Sequence, residues 1–268
     1  MNYPGAREAA ELLADLRLRA PGTEPLDDLP EHLRPWDLLA AYAVQAELRG
    51  QLAGRGLGPQ TGWKIGCTTE VMQDYLKIPH PCAGTLYRET THRGQVTLVA
   101  SDYFTLGLEC EIAVMLNADL PFKQSLYTSD EVLPAIGGVM ASIEIVEHRF
   151  RDFQKAGTPS LVADDFFSVG CVLGRPVPMV DIGDMGALQG GFAMNGKRPQ
   201  LVGTGAEILG HPLGALAWLA DHVARLGTPL RAGQVVSLGS VVKTIYPEPG
   251  QRIEARFTKL PAAVVEVI

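Results

Sequence analysis

Hydrophobic residues recur at two different spacings along the chain, and the spacing changes near residue 62. Before it, Ala6 to Leu18 and Trp36 to Leu52 carry apolar residues at helical spacing, which predicts two helices joined by a proline-rich connector. After it come short runs rich in β-branched residues, mostly bounded by Gly, Pro or Asp, as is typical of strands. These predicted strands are GWKIGCT, QVTLVA, LECEIAVML, VMASIEIV, FFSVGCVLG, GQVVSLGS, RIEARF and AAVVEVI.

The order of these elements favours an α+β fold. One clear helix, Leu213 to Leu226, interrupts the predicted strands, so strands and helices do not alternate as they do in a doubly wound parallel sheet. We therefore predict a core with a mixed, folded-over β-sheet at residues 62–268. A helical segment at residues 1–61 is expected to pack on this core.

Two acids interrupt the apolar run LGLECEIAVML. Successive side chains of a strand alternate between its faces, so Glu109 and Glu111 share one face, with Cβ atoms about 6–7 Å apart. That face continues with Ala113 and Met115, and Glu is depleted from strands. The pair indicates either a functional site or an edge strand whose outer side is solvated.

A third acid, Glu144, lies between Ile143 and Ile145 in another run of strand character. Three carboxylates without His or Cys would form an oxygen site suited to Mg²⁺ or Mn²⁺, provided that the two strands converge. Burying the acids without partners would be costly, and a divalent cation would offset that cost.

Composition excludes several classes of protein. The 268 residues include 23 Lys plus Arg against 30 Asp plus Glu, a net charge of −7, which disfavours nucleic acid as a partner. No apolar run reaches membrane-spanning length and the N-terminus lacks a signal-peptide core, so we expect a cytoplasmic protein without a membrane partner. The four cysteines form no CxxC pair, and LVGTGAEILGHP matches neither a dinucleotide fingerprint nor a P-loop.

Three basic or ionisable side chains near these runs are further candidates. Lys64, in TGWKIGCTT, either extends its ammonium to solvent or faces the acids, where it would hold an anionic substrate or donate a proton. His148 is expected at the surface near a strand end, and Arg149 would pair with or anchor a carboxylate.

Several motifs follow one another in a fixed order over most of the chain. They are AAYAVQ, GWKIGCTT, LECEIAV, IEIVEHR, VADDFFSVGCVLG, NGKRPQLVGTGAEILGHPLGALAWLADHVARLG, AGQVVSLGS and PGQRIEARF. Together they resemble the 2-keto-4-pentenoate hydratase and 4-oxalocrotonate decarboxylase branch of the fumarylacetoacetate hydrolase superfamily. The resemblance implies a fold like the fumarylacetoacetase C-terminal domain.

The resemblance also implies roles for individual residues. It assigns Glu109, Glu111 and Glu144 as ligands of Mg²⁺ or Mn²⁺, and Lys64 as the catalytic side chain that carries a proton or stabilises an enolate. Further expected contacts to the substrate are Ser168, Ser240, Arg149 and Cys82. The alternative for Ser168 and Ser240 is an ordinary turn or strand hydroxyl without a substrate contact. Cys82, in HPCAGTL, stands where the family commonly has Asp, and this departure bears on the identity of the substrate.

The activity implied is hydration of a 2-hydroxy-2,4-dienoate to a 4-hydroxy-2-oxo acid in aromatic meta-cleavage catabolism. Decarboxylation of a 4-oxalocrotonate-type acid is the alternative, and a non-catalytic partner protein is a further one. Carbon–carbon hydrolysis is disfavoured because TTEVMQDYLKI offers Glu70 and Asp74 but no histidine. We expect a homo-oligomer that acts on a small molecule and associates with a pathway enzyme.

Overall fold

The computed structural model describes residues 3–19, 24–199 and 201–268, without the side chains of Glu70, Val71 and Tyr75. The helices among these residues are α1 (Ala6–Arg17), α2 (Leu38–Leu52), α3 (Glu70–Leu76), α4 (Ser129–Val132), α5 (Phe153–Ala163), α6 (Met179–Ile182) and α7 (Pro212–Arg225). The strands among them are β1 (Gln60–Gly66), β2 (Cys82–Tyr87), β3 (Thr91–Arg93), β4 (Gln95–Leu98), β5 (Leu106–Leu116), β6 (Ile136–Glu147), β7 (Ser168–Leu173), β8 (Gln189–Met194), β9 (Gly203–Thr204), β10 (Val235–Ser240), β11 (Arg252–Phe257) and β12 (Leu260–Val267).

The strands form two mixed sheets. The larger sheet has the order β2-β1-β10-β5-β6-β7-β3, and the smaller one has the order β4-β12-β11-β8-β9. Most neighbours are antiparallel, while β1 with β10, β3 with β7 and β4 with β12 run parallel. Strand β6 of the larger sheet contacts β11 and β12 of the smaller one. The predicted α+β class with a mixed, folded-over sheet is confirmed.

Strand β5 lies in the middle of the larger sheet, between β10 and β6. Its register places Glu109 opposite Glu144 and Glu111 opposite Ser142. Cys110, which points to the other face, is fully buried in the main hydrophobic core. The edge-strand interpretation of the two acids is therefore wrong, because a strand with neighbours on both sides has no open edge.

The N-terminal helices pack on this sheet core. Helix α1 contacts α2, and α2 contacts α5. Asp37 caps α2 by accepting a hydrogen bond from the Ala40 amide at 2.8 Å, which explains why this helix begins two residues after the predicted start. The buried amide of Gln45 donates to the carbonyls of Ala83 and Val162, and so ties α2 to β2 and α5. The division at residues 61 and 62 stays a prediction.

The predicted elements match the structure best where periodicity is strong. Helix α1 ends one residue before the predicted end, and α7 is displaced by one residue. The predicted strand FFSVGCVLG is present as β7 but starts two residues late, since Phe166 and Phe167 have φ values of 49° and 68° and precede it. Within the described residues, none of the helices combines the length and apolar character needed to cross a bilayer.

Candidate metal centre

Three glutamates from two adjacent strands form a carboxylate cluster. Glu109 and Glu111 come from β5 and Glu144 from β6, and one oxygen of each lies within 4.8 Å of the others. The parity of β5 and its pairing with β6 bring all three side chains to one face of the sheet. The two strands therefore converge, which was the condition for a three-carboxylate site.

The two acids of β5 have hydroxyl partners. Ser237 of β10 donates to Glu111 Oε2 at 2.5 Å, and Thr244 donates to Glu109 Oε1 at 2.6 Å. Each bond uses one carboxylate oxygen and leaves the rest of the carboxylate available to a ligand. Glu111 is buried, whereas Glu109 is half-buried, so the cluster approaches solvent on the Glu109 side.

Glu144 has no hydroxyl partner, and the group that faces its carboxylate is the Lys64 ammonium, 3.2 Å from Oε1. Glu144 is fully buried, and neither of its oxygens accepts a hydrogen bond. Burial, opposed by Lys64 and reinforced by Glu109, raises the pKa of Glu144 to about 7. Burial followed by the charges of Glu144 and Glu109 raises the pKa of Glu111 well above its usual range. Unsatisfied buried oxygens of this kind fit a bound divalent cation, for which oxygen donors are the preferred ligands.

Lys64 reaches the cluster from β1, which β10 separates from β5 in the sheet. Its side chain is 2% exposed, so the structure excludes the solvent-facing interpretation. Its Nζ lies 3.2 Å from Glu144 Oε1 and donates to the Phe166 carbonyl at 2.5 Å. The ring of Phe166 lies 5.0 Å from the same nitrogen. Lys64 therefore places a fixed positive charge beside the carboxylates.

Two glycines provide the space that Lys64 occupies. A Cβ at Gly84, opposite Lys64 on β2, would lie 2.8 Å from Lys64 Cε. A Cβ at Gly66 would lie 2.4 Å from the ring of Phe166 and 3.2 Å from Lys64 Nζ. Side chains at either position would push the lysine or the phenylalanine away.

Arg149 is placed in a buried ion-pair network and not at the carboxylate cluster. Its Nε donates to Asp164 at 2.6 Å, and its Nη2 donates to the carbonyls of Asp164 and Ser168. Its Nη1 donates to Glu147 at 3.4 Å. The predicted pairing of Arg149 with a carboxylate is thus present, and the expected substrate contact, which these protein partners disfavour, stays a prediction.

The remaining expected contacts differ in their surroundings. The Ser240 hydroxyl donates to the backbone, with the carbonyls of Val242 and Cys110 at 2.6 and 3.2 Å, and its expected substrate contact stays a prediction. The Ser168 hydroxyl is buried without a partner. Cys82 pairs with Gly66 across β1 and β2, on the face of Lys64, and burial raises the pKa of its thiol far above neutrality.

His148 and Tyr246 lie on the more exposed side of the cluster. Tyr246 Oη lies 3.3 Å from His148 Nε2, and Tyr246 also approaches Gly107, two residues before Glu109. Burial and the charge of Arg149 lower the pKa of His148. The predicted surface position of His148 is thus only partly right, since the ring is half-buried among aromatic side chains.

Sequence reasoning missed Ser237 and Thr244. Both lie on or after β10, far along the chain from β5, and hydroxyl residues in such positions carry no distinctive pattern. The strand pairing of β10 with β5 was the missing information, because it brings Ser237 opposite Ala113, next to Glu111.

Comparison with known proteins agrees with this geometry. No protein-family model matches the chain. A 2-keto-4-pentenoate hydratase from Burkholderia vietnamiensis is 35% identical over 206 residues, which cover 76% of each chain. The chain belongs to the 2-keto-4-pentenoate hydratase family.

Solved structures extend the comparison to the whole fold of this family member. A 4-oxalocrotonate decarboxylase from Pseudomonas putida G7, complexed with magnesium and adipate, superposes with a TM-score of 0.88 at 26% identity. It covers 100% of this chain and 99% of its own. A fumarylpyruvate hydrolase from Pseudomonas aeruginosa shares the fold alone, with a TM-score of 0.62 at 13% identity over 77% of this chain and 88% of its own. The fold is that of the fumarylacetoacetate hydrolase superfamily.

Proposed function

We propose that the protein is a divalent-metal-dependent hydratase that adds water to a 2-hydroxy-2,4-dienoate and yields a 4-hydroxy-2-oxo acid. The observation that carries the proposal is the cluster of Glu109, Glu111 and Glu144 with Lys64 beside it, in a chain that belongs to the hydratase family. This reaction makes the protein a hydro-lyase.

The charges of the cluster favour a divalent cation. Three ionised carboxylates and one ammonium carry a net charge of −2, which Mg²⁺ or Mn²⁺ would neutralise. The donors are all oxygen, and Glu144 has two buried oxygens without hydrogen bonds. We propose that Glu109, Glu111 and Glu144 hold the ion. A bound divalent cation supplies Lewis-acid stabilisation of negative charge at the C2 oxygen of the substrate.

The chain's own residues then account for orientation and proton transfer. In 2-hydroxypenta-2,4-dienoate, protonation of C5 and loss of the C2 hydroxyl proton give an unsaturated ketone. Addition of water places hydroxyl on C4 and a proton on C3. Lys64 is held by Phe166 and Glu144 at the buried side of the cluster, where it stabilises the enolate or transfers a proton.

Cys82 does not take part as an acid or base in this scheme. Burial keeps its thiol protonated at neutral pH, so the position that is commonly Asp in the family offers no charge here. Lys64, whose ammonium lies 3.2 Å from Glu144, then remains as the proton-transfer candidate beside the carboxylates.

A decarboxylase is the second candidate function. The full-length match to 4-oxalocrotonate decarboxylase favours it, and the same stabilised enolate would serve the loss of carbon dioxide. Carbon–carbon hydrolysis has less support, since α3 carries no histidine. The side chain of Glu70 lies outside the described residues, and Asp74 is exposed.

One assay separates these activities. The metal-depleted protein is supplied with Mg²⁺ or Mn²⁺, and the ultraviolet absorbance of 2-hydroxypenta-2,4-dienoate and of 4-oxalocrotonate is followed, with products identified by mass. We expect the dienoate to be consumed with a mass gain of one water. Loss of carbon dioxide from 4-oxalocrotonate in place of hydration would establish the decarboxylase, and consumption of neither substrate would contradict both.

The role of Lys64 has its own variant. Lys64→Met should lower kcat by about 100-fold or more, the usual effect of removing a proton-transfer group. Lys155→Met, at an 83% exposed side chain, is the matched control and should keep full activity. Full activity of Lys64→Met would remove the lysine from the mechanism.

We further propose a homo-oligomer, a cytoplasmic location and association with an enzyme of the same pathway. Several large apolar side chains are exposed in the described chain, including Trp36 at 69% and Leu126 at 65%, and their burial between copies would support assembly. Light scattering coupled to gel filtration measures the oligomeric state, and a monomeric mass would contradict it.

A further inference from the structure

The turn between α5 and β7 is held in an unusual backbone conformation. Asp165, Phe166 and Phe167 have φ values of 55°, 49° and 68°, so three successive non-glycine residues are left-handed. L-residues rarely adopt this conformation, and a run of them persists only where surrounding contacts hold it. The contacts of this turn therefore indicate what the conformation is for.

The turn forms one wall of the space around Lys64. The Phe166 carbonyl accepts the hydrogen bond from Lys64 Nζ, at 2.5 Å the nearest contact of that nitrogen. The Asp165 carbonyl packs across the β2 glycine, where a Cβ at Gly84 would lie 2.6 Å from it. A shift of this turn would therefore move the carbonyl that fixes the ammonium.

The Asp165 carboxylate anchors the turn to β2 and to α1. Its Oδ1 accepts from the Thr85 amide at 3.0 Å. Its Oδ2 accepts from the Tyr87 hydroxyl at 3.2 Å and from Arg17 Nη1 at 2.9 Å. The residue is fully buried, so these donors compensate a charge that would otherwise be costly.

Arg17 connects both ends of the turn to the last turn of α1. Its Nη2 donates to the Ser168 carbonyl at 2.9 Å, while Nη1 binds Asp165. Its side chain is only 5% exposed, although a surface position would be usual for an arginine near a helix end. The charge is buried at the turn, more than 100 residues away along the chain.

We propose that Arg17 and Asp165 are positioning residues for Lys64, which they hold beside Glu144 by fixing the left-handed turn whose Phe166 carbonyl binds the lysine ammonium. Helix α1 thereby completes the site without touching the substrate. The inference rests on the proposed function for the catalytic role of Lys64, but the placement of Lys64 can be measured without turnover.

The first experiment observes the Lys64 ammonium directly. Its ¹H–¹⁵N signal is recorded in the full-length protein at fixed pH and is assigned by its loss in Lys64→Met. A buried, hydrogen-bonded ammonium exchanges slowly with water, so we expect a visible signal that shifts or broadens in Arg17→Met. Arg55→Met is the matched control. Arg55 forms an exposed 2.6 Å ion pair with Asp15 of α1, the helix that carries Arg17. The Lys64 signal in Arg55→Met should match the Lys64 signal in the parent protein.

Two outcomes of this experiment overturn the proposal. One is an unchanged signal in Arg17→Met, and the other is a parent signal that exchanges too fast to be seen. Two milder variants cover the case in which Arg17→Met does not fold. Arg17→Lys keeps a positive charge for Asp165, and Asp165→Asn keeps an acceptor for the Thr85 amide. Both should displace the Lys64 signal from its position in the parent, and no displacement in either would likewise contradict the proposal.

The second experiment measures kinetic coupling to Lys64. Arg17→Met should lower kcat on the dienoate by about 10- to 100-fold, the scale of a small misplacement of a catalytic group. KM should change by less than about threefold, since uniform substrate binding is not affected. Arg17→Lys should restore part of the loss, and Arg17→Met should cause no further loss in a Lys64→Met background. An equal loss in both backgrounds would mean that Arg17 acts only on stability. If the parent consumes no dienoate, the proposed function fails, while the ammonium signal still decides this inference.

Discussion

Replacing Glu144 with glutamine tests whether the ionised Glu144 carboxylate destabilises the folded protein when no divalent cation is bound. Glu144 is fully buried and its oxygens accept no hydrogen bond. Glutamine has nearly the same shape but no charge, and its carbonyl can still face the Lys64 ammonium. In the absence of metal, the variant should therefore be more stable than the parent at alkaline pH, even though it has lost a predicted metal ligand.

The magnitude follows from the pKa of Glu144. Burial raises this pKa from 4.5 to about 7. An acid with a raised pKa in the folded state binds its proton more tightly there, so stability falls as the pH rises through this interval. The full difference corresponds to about 3 kcal/mol above pH 8. Because glutamine also loses the ion pair with Lys64, we expect a net gain of about 1–3 kcal/mol, or roughly 2–6 °C in Tm for a chain of this size.

Thermal unfolding with EDTA or with Mg²⁺, at pH 5.5 and pH 8.5, measures this effect. The parent should gain Tm from Mg²⁺ at pH 8.5, whereas Glu144→Gln should gain little. Glu8→Gln, at a 69% exposed side chain, is the control of identical chemistry and should behave like the parent. A lower Tm for metal-free Glu144→Gln at pH 8.5, or an equal gain from Mg²⁺ in both proteins, would refute the reasoning.

Three further substitutions test separate parts of the site. Ser237→Ala removes the 2.5 Å hydrogen bond to Glu111 and should weaken Mg²⁺ binding about 10- to 100-fold by calorimetry, and unchanged affinity would contradict this support. Cys82→Ser should keep kcat within about threefold because burial already keeps the thiol neutral, whereas a loss beyond tenfold would give Cys82 a direct role. Gly84→Ala should lower the free energy of unfolding by about 1–3 kcal/mol in denaturant titrations, since its Cβ would lie 2.8 Å from the Lys64 side chain. Gly50→Ala, where nothing lies within 4 Å, is its control, and equal effects at both glycines would refute the close packing.

The carboxylate cluster was predictable to a large extent from the sequence. Strand alternation alone places Glu109 and Glu111 on one face, and the apolar neighbours of Glu144 indicate a second buried strand. The alternation could not distinguish a central strand from an edge strand, because that depends on β10 and β6, which are distant in sequence. The family resemblance favoured a functional site over a solvated edge strand, which the local pattern could not decide.

The surroundings of Lys64 were not predictable from local sequence. Whether a lysine in a strand reaches solvent or the interior depends on what lies opposite it, which here is Gly84 of β2. The left-handed turn at Phe166 and Phe167 was mistaken for strand because both residues favour strands intrinsically. Contacts of Asp165 with Arg17 override that preference, and they join residues 148 positions apart.

The burial of Arg149 was also not predictable from local sequence. Its position beside Glu147 in a short polar stretch is compatible with substrate binding, and the sequence contains nothing that predicts its burial. In the structure Arg149 pairs with Asp164, which directly follows the end of α5. An arginine with protein carboxylates on its donors has a structural role, and only tertiary structure reveals those partners.

The most direct test of the central claim measures metal binding and turnover together. Metal-free parent protein and a Glu109→Gln/Glu111→Gln double variant are titrated with Mg²⁺ or Mn²⁺, and the rate of 2-hydroxypenta-2,4-dienoate consumption is recorded at each concentration. We predict one ion bound per chain in the parent, a rate of hydration that rises in proportion to occupancy, and a folded double variant that neither binds the ion tightly nor hydrates the dienoate. Full hydration by the double variant, or by the parent in excess EDTA, would contradict the account.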